Sequence, residues 1–379
     1  MWLFIPAILI ILYVILLFWY RAAWMDLQET THLPPVAAEC NTRVTVVVPA
    51  RNESVNIATC IQSILDQSYP PGLLEILVMD DASEDDTAVI AKNYSSKYPQ
   101  VKVHTLLTTP AGKAHKKRAV EKGIQLASGE LIVATDADCT HEKRWIESLV
   151  RSFEKEGHVF IAAPVIYTTE PTLLSIFQTL DFLSLQGITG ASVHRRFHTM
   201  CNGANIAYSR EAFYEVKGFE GIDALPTGDD MLLMHKIYKA YPNQITWLKN
   251  KHTLVQTDAA PSWKAFFQQR IRWASKAAFF DDKRIFYVLL LVYMVNVSLL
   301  LTGIAAIISI AALKTFAILL LIKTTGELWF LIPVAKFFNR QQWLWAFPFM
   351  QPLHIVYTVI AGWLGRFGKY EWKGRVIGK

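Results

Sequence analysis

The chain is poor in the signatures that most readily assign a function. Its four cysteines, Cys40, Cys60, Cys139 and Cys201, form no C-x-x-C pair or other metal-ligand spacing. That pattern suits a reducing compartment without disulfides. Neither G-x-G-x-x-G nor G-x-x-x-x-G-K-[ST] occurs, which argues against a dinucleotide enzyme and a P-loop nucleotidase. Internal repeats and low-complexity tracts are absent too. Charged residues make up 18% of the 379, against 52% hydrophobic.

Long apolar runs take the place of charge. Residues 1–20 (MWLFIPAILIILYVILLFWY) carry none and are long enough to cross a hydrocarbon core of roughly 30 Å. No Lys or Arg precedes the run and no clear small-residue cleavage site follows it, so a retained anchor (1–22) is expected rather than a cleaved signal. Apolar character returns at residues 285–312 and 316–338, interrupted by Lys314 and weakly by Lys323 and Glu327. This predicts a helical hairpin. Residues 343–364 contain Pro348, Pro352 and His354, leaving open a third span or a broken, re-entrant one. Membrane helices are thus expected over 284–365, two or three in number.

Basic residues flank these runs: Arg21 after the first, Lys283 and Arg284 before the second, Lys336 and Arg340 after the third. The positive-inside bias puts the polar part of the chain on the cytoplasmic face, as expected of an integral protein of a bacterial plasma membrane. The basic tail, 366–379, prefers the same side and favours the re-entrant reading of the last segment. A net charge of +6 could reflect nucleic acid or an anionic membrane surface, and beside four apolar segments the membrane is the expected partner, with no nucleic acid.

Between residues 42 and 258 short apolar runs alternate with amphipathic stretches. Strands are predicted at 44–48 (VTVVV), 76–79, 101–106 and 131–135, with helices at 54–67, 85–98 and 117–127. Such a βαβαβαβ run implies an α/β domain with a mostly parallel sheet flanked by helices, binding ligands beyond the carboxyl ends of its strands. Asp80, Asp81, Asp136 and Asp138 fall there. Clustered carboxylates repel one another unless a divalent cation offsets them. Asp136-Ala137-Asp138 is therefore the metal candidate, although an isolated D-x-D is more often a solvated turn.

Four segments, VVVPARNES (46–54), VMDDAS (78–83), TDADC (135–139) and QRIRW (269–273), together resemble the inverting family 2 glycosyltransferases over residues 44–273. The resemblance implies a GT-A fold, a nucleotide-sugar donor, usually UDP-linked, and Mg²⁺ or Mn²⁺. It places Pro49, Arg51 and Glu53 around the nucleoside and Asp80 or Asp81 on the base or ribose. Asp138 becomes the principal metal ligand, with Asp136 near the ribose or a metal-bound water. The family's G-K-x-x-A-L segment is imperfect here: Gly112-Lys113 and Lys116-Lys117 both offer a lysine for the diphosphate, and a solvated basic face is an equal alternative. Asp229-Asp230-Met231-Leu232-Leu233 matches an acidic pair followed by x-x-L and aligns Asp230 with the general base, which takes the acceptor's proton. The bland counterpart is a pair of acids at a helix N-terminus. Cys201-Asn202-Gly203-Ala204-Asn205 resembles the acceptor-side loop.

In QRIRW, on a stretch suited to an interfacial helix (259–283), Gln269, Arg272 and Trp273 are the candidates. Arg272 would steady the leaving diphosphate and Trp273 would shape the acceptor pocket. The closing YEWKGR (370–375) occurs near the end of some small membrane-bound members. In layout the chain is similar to ceramide glucosyltransferases and bacterial carotenoid or glycolipid glycosyltransferases, which implies a lipid acceptor. The Q-x-x-R-W motif also marks processive polysaccharide synthases, which form the alternative. A catalytically silent membrane scaffold is the third reading.

Overall fold

The computed structural model describes residues 4–30, 41–106, 114–168, 170–222, 228–275, 282–367, 370–372 and 375–377. The chain forms two units interleaved in sequence. One, a helical unit, comprises Met1–Leu27, Thr169–His198 and Ala259–Lys379; the other, a sheet unit, comprises Gln28–Thr168 and Thr199–Asp258.

After α1 (Phe4–Asp26) of the helical unit, the sheet unit begins with β1 (Val44–Ala50), α2 (Ile57–Leu65), β2 (Leu74–Asp80), α3 (Thr87–Lys97), β3 (Val101–Thr105), α4 (His115–Leu126) and β4 (Leu131–Ala134). Then come β5 (Cys139–His141), α5 (Trp145–Glu156), β6 (Phe160–Ala162) and β7 (Val165–Tyr167). The long α6 (Leu173–His194) returns to the helical unit. The sheet unit resumes with β8 (Ile206–Ser209), α7 (Arg210–Glu215), α8 (Asp229–Ala240), β9 (Ile245–Trp247) and β10 (Val255–Thr257).

Seven strands lie in the order β3-β2-β1-β4-β8-β6-β9. β1 sits between β2 and β4, parallel to both, and Val44, Val46, Val47 and Val48 are buried. A run of β-branched residues is what a strand covered on both faces requires. The sequence predicts this parallel half. β8 runs antiparallel to both β4 and β6, which makes the whole sheet mixed. A second sheet, β5-β10-β7, is built from three-residue strands.

The helical unit continues with α9 (Trp263–Ser275), α10 (Lys283–Ala305), α11 (Ile310–Phe337) and α12 (Phe347–Phe367), and ends in an antiparallel pair, β11 (Tyr370–Trp372) and β12 (Arg375–Ile377). Four helical stretches, Phe4–Asp26, Lys283–Ala305, Ile310–Phe337 and Gln341–Phe367, are long and apolar enough to cross a membrane. Two expectations change. The break between α10 and α11 falls at residues 306–309, inside the first expected run, because the Ser309 side chain caps α11 by accepting from Ala312 N–H. The last segment is one continuous helix rather than a broken one, with Pro352 in its second turn. In α6, Gly187 has no room for a side chain: a Cβ there would lie 2.6 Å from Val334 and 2.8 Å from Phe330 of α11.

Candidate active site

The parallel half of the sheet delivers carboxylates to one edge. β2 ends on Asp80, and the loop leaving β4 carries Asp136 and Asp138. A pocket in this unit is lined by Pro49, Lys116, Thr135, Gly203, Asp229 and Asp230, among others. Lys116, at the start of α4, places Nζ 2.7 Å from Asp136 Oδ1 and 3.6 Å from Asp229 Oδ2. Burial by itself would lower the ammonium's pKa, but the charges of Asp136 and Asp229 outweigh it and hold the pKa above the ordinary lysine value. Lys116 is therefore a fixed cation between two acids. Its neighbour Lys117 is buried and spends its ammonium on the Ile222 carbonyl at 2.5 Å. Lys113 lies outside the described residues.

Asp229 and Asp230 open α8, where carboxylates are favoured by the exposed N–H groups of the first turn. Asp230 is buried; its Oδ1 accepts from its own neighbour, Met231 N–H, at 2.8 Å, and its Oδ2 accepts from Gly203 N–H at 3.0 Å. The loop holding Gly203 is anchored by Asn205, whose Nδ2 donates to the Pro164 and Thr253 carbonyls, both at 2.7 Å. Trp145 Nε1 donates to Asn205 Oδ1 at 2.9 Å, and the indole stacks on the His141 ring at 4.0 Å between centroids. His141 Nε2 lies 2.8 Å from the Thr135 hydroxyl, and its Nδ1 lies 2.8 Å from that of Ser63. Burial pulls the His141 pKa down to about 3, so the ring is neutral and serves as a hydrogen-bonding strut. These contacts tie the loop before Asp136 to the one that holds Asp230. Sequence reasoning missed His141 and Trp145, since a single histidine and a single tryptophan present no spacing to read.

The first loop has a different geometry. Arg51 donates through Nη1 to the carbonyls of Asp81 and Ala82, each at 2.7 Å, and through Nη2 to Glu84 Oε1 at 2.9 Å. Asn52, at φ +52°, receives Glu84 N–H on its side chain at 2.9 Å. Arg51 and Asn52 thus brace the β1 loop against the β2 loop. Glu53 N–H donates to Thr87 Oγ1 at 2.7 Å, and its carboxylate accepts from Asn56 Nδ2 at 3.1 Å. Asp80 accepts from Ser83 N–H at 3.2 Å, and Asp81 lies 3.2 Å from His115 Nδ1. Pro49 is the member of this predicted set that lines the pocket with Lys116.

Gln269, Arg272 and Trp273 lie on α9 of the helical unit. Gln269 Oε1 accepts from Arg270 Nη1 at 2.7 Å, and the Arg270 guanidinium lies over the Trp273 ring at 4.3 Å.

Asp136 and Asp138 suit a divalent cation chemically. Both are hard oxygen donors; Asp138 is exposed and the Asp136 side chain keeps 37% of its surface. Among the described residues no group of three or more His, Cys, Asp or Glu could enclose a metal. A Mg²⁺-type site takes one or two carboxylates and completes its shell with waters and substrate phosphates.

A glycosyl transferase family 2 profile matches residues 45–217. The probable glycosyltransferase YdaM of Bacillus subtilis is 30% identical over 242 residues, 61% of this chain and 54% of that protein. The match therefore spans about half the length of that relative. The dolichyl N-acetyl-alpha-D-glucosaminyl phosphate 3-beta-D-2,3-diacetamido-2,3-dideoxy-beta-D-glucuronosyltransferase of Methanococcus voltae is 22% identical over 320 residues, covering 78% of this chain and 92% of that one. Among solved structures, the mannosyltransferase PcManGT from Pyrobaculum calidifontis, in complex with GDP-Man and Mn²⁺, shares the fold with a TM-score of 0.59. It has 20% identity, over 93% of this chain and 99% of that one. The mixed sheet is GT-A-like, and the chain carries a glycosyl transferase family 2 domain.

Proposed function

We propose that this chain is a membrane-bound inverting glycosyltransferase that moves a sugar from a nucleotide diphosphate to a lipid-linked acceptor at the cytoplasmic face. The observation that carries the reading is the pocket itself, where Lys116 stands between Asp136 and Asp229 and Asp230 is held beside them by Gly203. Asp136 and Asp138 are the residues to hold Mg²⁺ or Mn²⁺, which when bound would offset the diphosphate's charge. Lys116 adds a fixed positive charge at the same edge. Pro49, Arg51, Glu53, Asp80 and Asp81 are assigned to the nucleoside side on the family resemblance.

In the transfer, a hydroxyl oxygen of the acceptor forms a bond to the anomeric carbon while the bond from that carbon to the diphosphate oxygen breaks. The electron pair leaves with the nucleoside diphosphate, and Asp230 takes the hydroxyl proton. The two backbone N–H groups on its carboxylate fix its direction. Arg272 and Trp273 are assigned to the leaving diphosphate and the acceptor from the Q-x-x-R-W motif, with Gln269 beside them.

A lipid-linked acceptor is supported by the four apolar helices and by the name of the Methanococcus relative. The donor base is proposed as uridine on the resemblance, and guanosine is the alternative raised by the ligand of PcManGT. The test is release of nucleoside diphosphate from a panel of UDP- and GDP-sugars by membranes holding the chain, with and without Mn²⁺. One donor should give metal-dependent release that Asp138→Asn lowers by about tenfold or more. Release indifferent to both metal and Asp138 would contradict the assignment.

A further inference from the structure

The helical unit buries ionisable groups where isolated charge is costly. Lys323 and Glu327, one turn apart on α11, are both buried and pair at 2.8 Å. Lys323 Nζ also donates to Gln351 Oε1 of α12 at 2.6 Å, while Glu327 accepts from Gln351 Nε2 at 2.7 Å and from the Tyr13 hydroxyl of α1 at 2.6 Å. His354 lies 3.3 Å from Lys323 through Nδ1 and 3.9 Å from Asp181 of α6 through Nε2. Asp181 in turn is gripped by Arg270 of α9, whose Nε and Nη2 stand 2.9 and 2.7 Å from Oδ2, and it accepts the Tyr357 hydroxyl on Oδ1.

Two cations and two anions balance in this chain of contacts. A site kept for a charged ligand would show an excess of one sign, and a buried pair on its own is weak evidence for stability. The balanced cluster therefore acts as a strut, and its far end identifies what it supports. Arg270 donates to Gln269 and lies over Trp273 at 4.3 Å and over Phe266 at 4.7 Å. Its side chain is 4% exposed and that of Asp181 is 7% exposed. Arg270 is thus out of reach of solvent, yet it touches two of the three motif residues assigned above.

We propose that Asp181 is a positioning residue for the Q-x-x-R-W motif: acting through Arg270, it fixes the Gln269 and Trp273 side chains and the seating of the helix that presents Arg272. This inference rests on the reading of the motif as part of the transfer site. A planar guanidinium that donates Nε–H to one carboxylate oxygen, pairs with it through Nη2 and stacks on an indole sets direction as well as distance, which a packed apolar pair would not.

Asp181→Asn keeps the shape and removes the charge. In full-length protein in detergent, turnover should fall about tenfold or more with the donor KM unchanged within about twofold, and Asp181→Glu should recover part of the loss. In an Arg272→Ala background, Asp181→Asn should add less than about a twofold further loss, because both act on one unit. Independently of activity, the fluorine resonance of Trp273 in 5-fluorotryptophan-labelled protein, assigned with Trp273→Phe, should move or broaden in Asp181→Asn. If Asp181→Asn yields no folded protein, Arg270→Lys, which keeps the cation and loses the planar guanidinium, carries the same expectations. Losses that multiply in the double variant, or an unmoved Trp273 resonance, would overturn the proposal. Should Arg272→Ala alone retain full turnover, the reading of the motif falls, and the fluorine signal still decides whether Asp181 holds Trp273.

Discussion

Gly203 shows how little freedom the pocket leaves at the level of single residues. A Cβ at this position would sit 3.3 Å from both Cβ and Oδ2 of Asp230, closer than packed atoms normally approach, while its N–H already fixes that carboxylate. Gly203→Ala should displace the Asp230 carboxylate by a fraction of an ångström and, if that carboxylate is the proposed base, lower turnover by about tenfold with nucleotide binding preserved. Steady-state rates beside nucleotide titration check this. His141 carries a second prediction. Its folded pKa of about 3 lies below the ordinary histidine value of 6.5, so as pH falls below that ordinary value the unfolded chain takes up a proton the folded one refuses. The neutral ring's contribution to stability is present above that pH and is lost as pH drops toward the folded pKa. His141→Asn should destabilise the sheet unit at about pH 7.5, and its deficit should shrink at about pH 5. Thermal unfolding at the two pH values measures it.

At the scale of elements, legibility followed the density of the pattern. The four strands from β1 to β4 and the helices between them are readable because apolar runs and amphipathic stretches alternate, and acids at strand ends mark the pocket's edge. β5, β6, β7, β9 and β10 have three residues each, too few to show a period of two. The antiparallel β8 left no local trace, since strand direction is set by the path of the chain. Asp230 and Asp136 were legible as acids in motifs, and Lys116 as one of several candidate lysines; which of them meets Asp136 was not, because Lys116 and Lys117 differ only in which side of α4 they occupy. In the apolar helices, composition hid the boundary at Ser309 and made Lys323 and Glu327 look like interruptions. They are a buried pair. Lys323→Met should leave Glu327 unmatched and cost about 3–5 kcal/mol, and adding Glu327→Met should restore most of it. Denaturation of the two variants in detergent distinguishes this from independent effects.

The whole molecule joins a GT-A-like sheet unit to a helical unit by passing between them several times, with α6 inserted between β7 and β8. Deleting α1 should therefore remove more than a tether, because it supplies Tyr13 to Glu327 and Tyr20 to His198 within the helical unit. The proposed transfer needs both a carboxylate pocket in the sheet unit and apolar helices in the helical unit. The measurement that addresses this most directly is transfer of labelled sugar from the preferred donor into membrane extracts by wild type and Asp230→Asn, with organic-soluble and polymeric products separated. Organic-soluble product is expected in wild type, reduced about a hundredfold or more in Asp230→Asn while donor binding persists. High-mass polymer, or transfer unaffected by the loss of the Asp230 carboxylate, would contradict it.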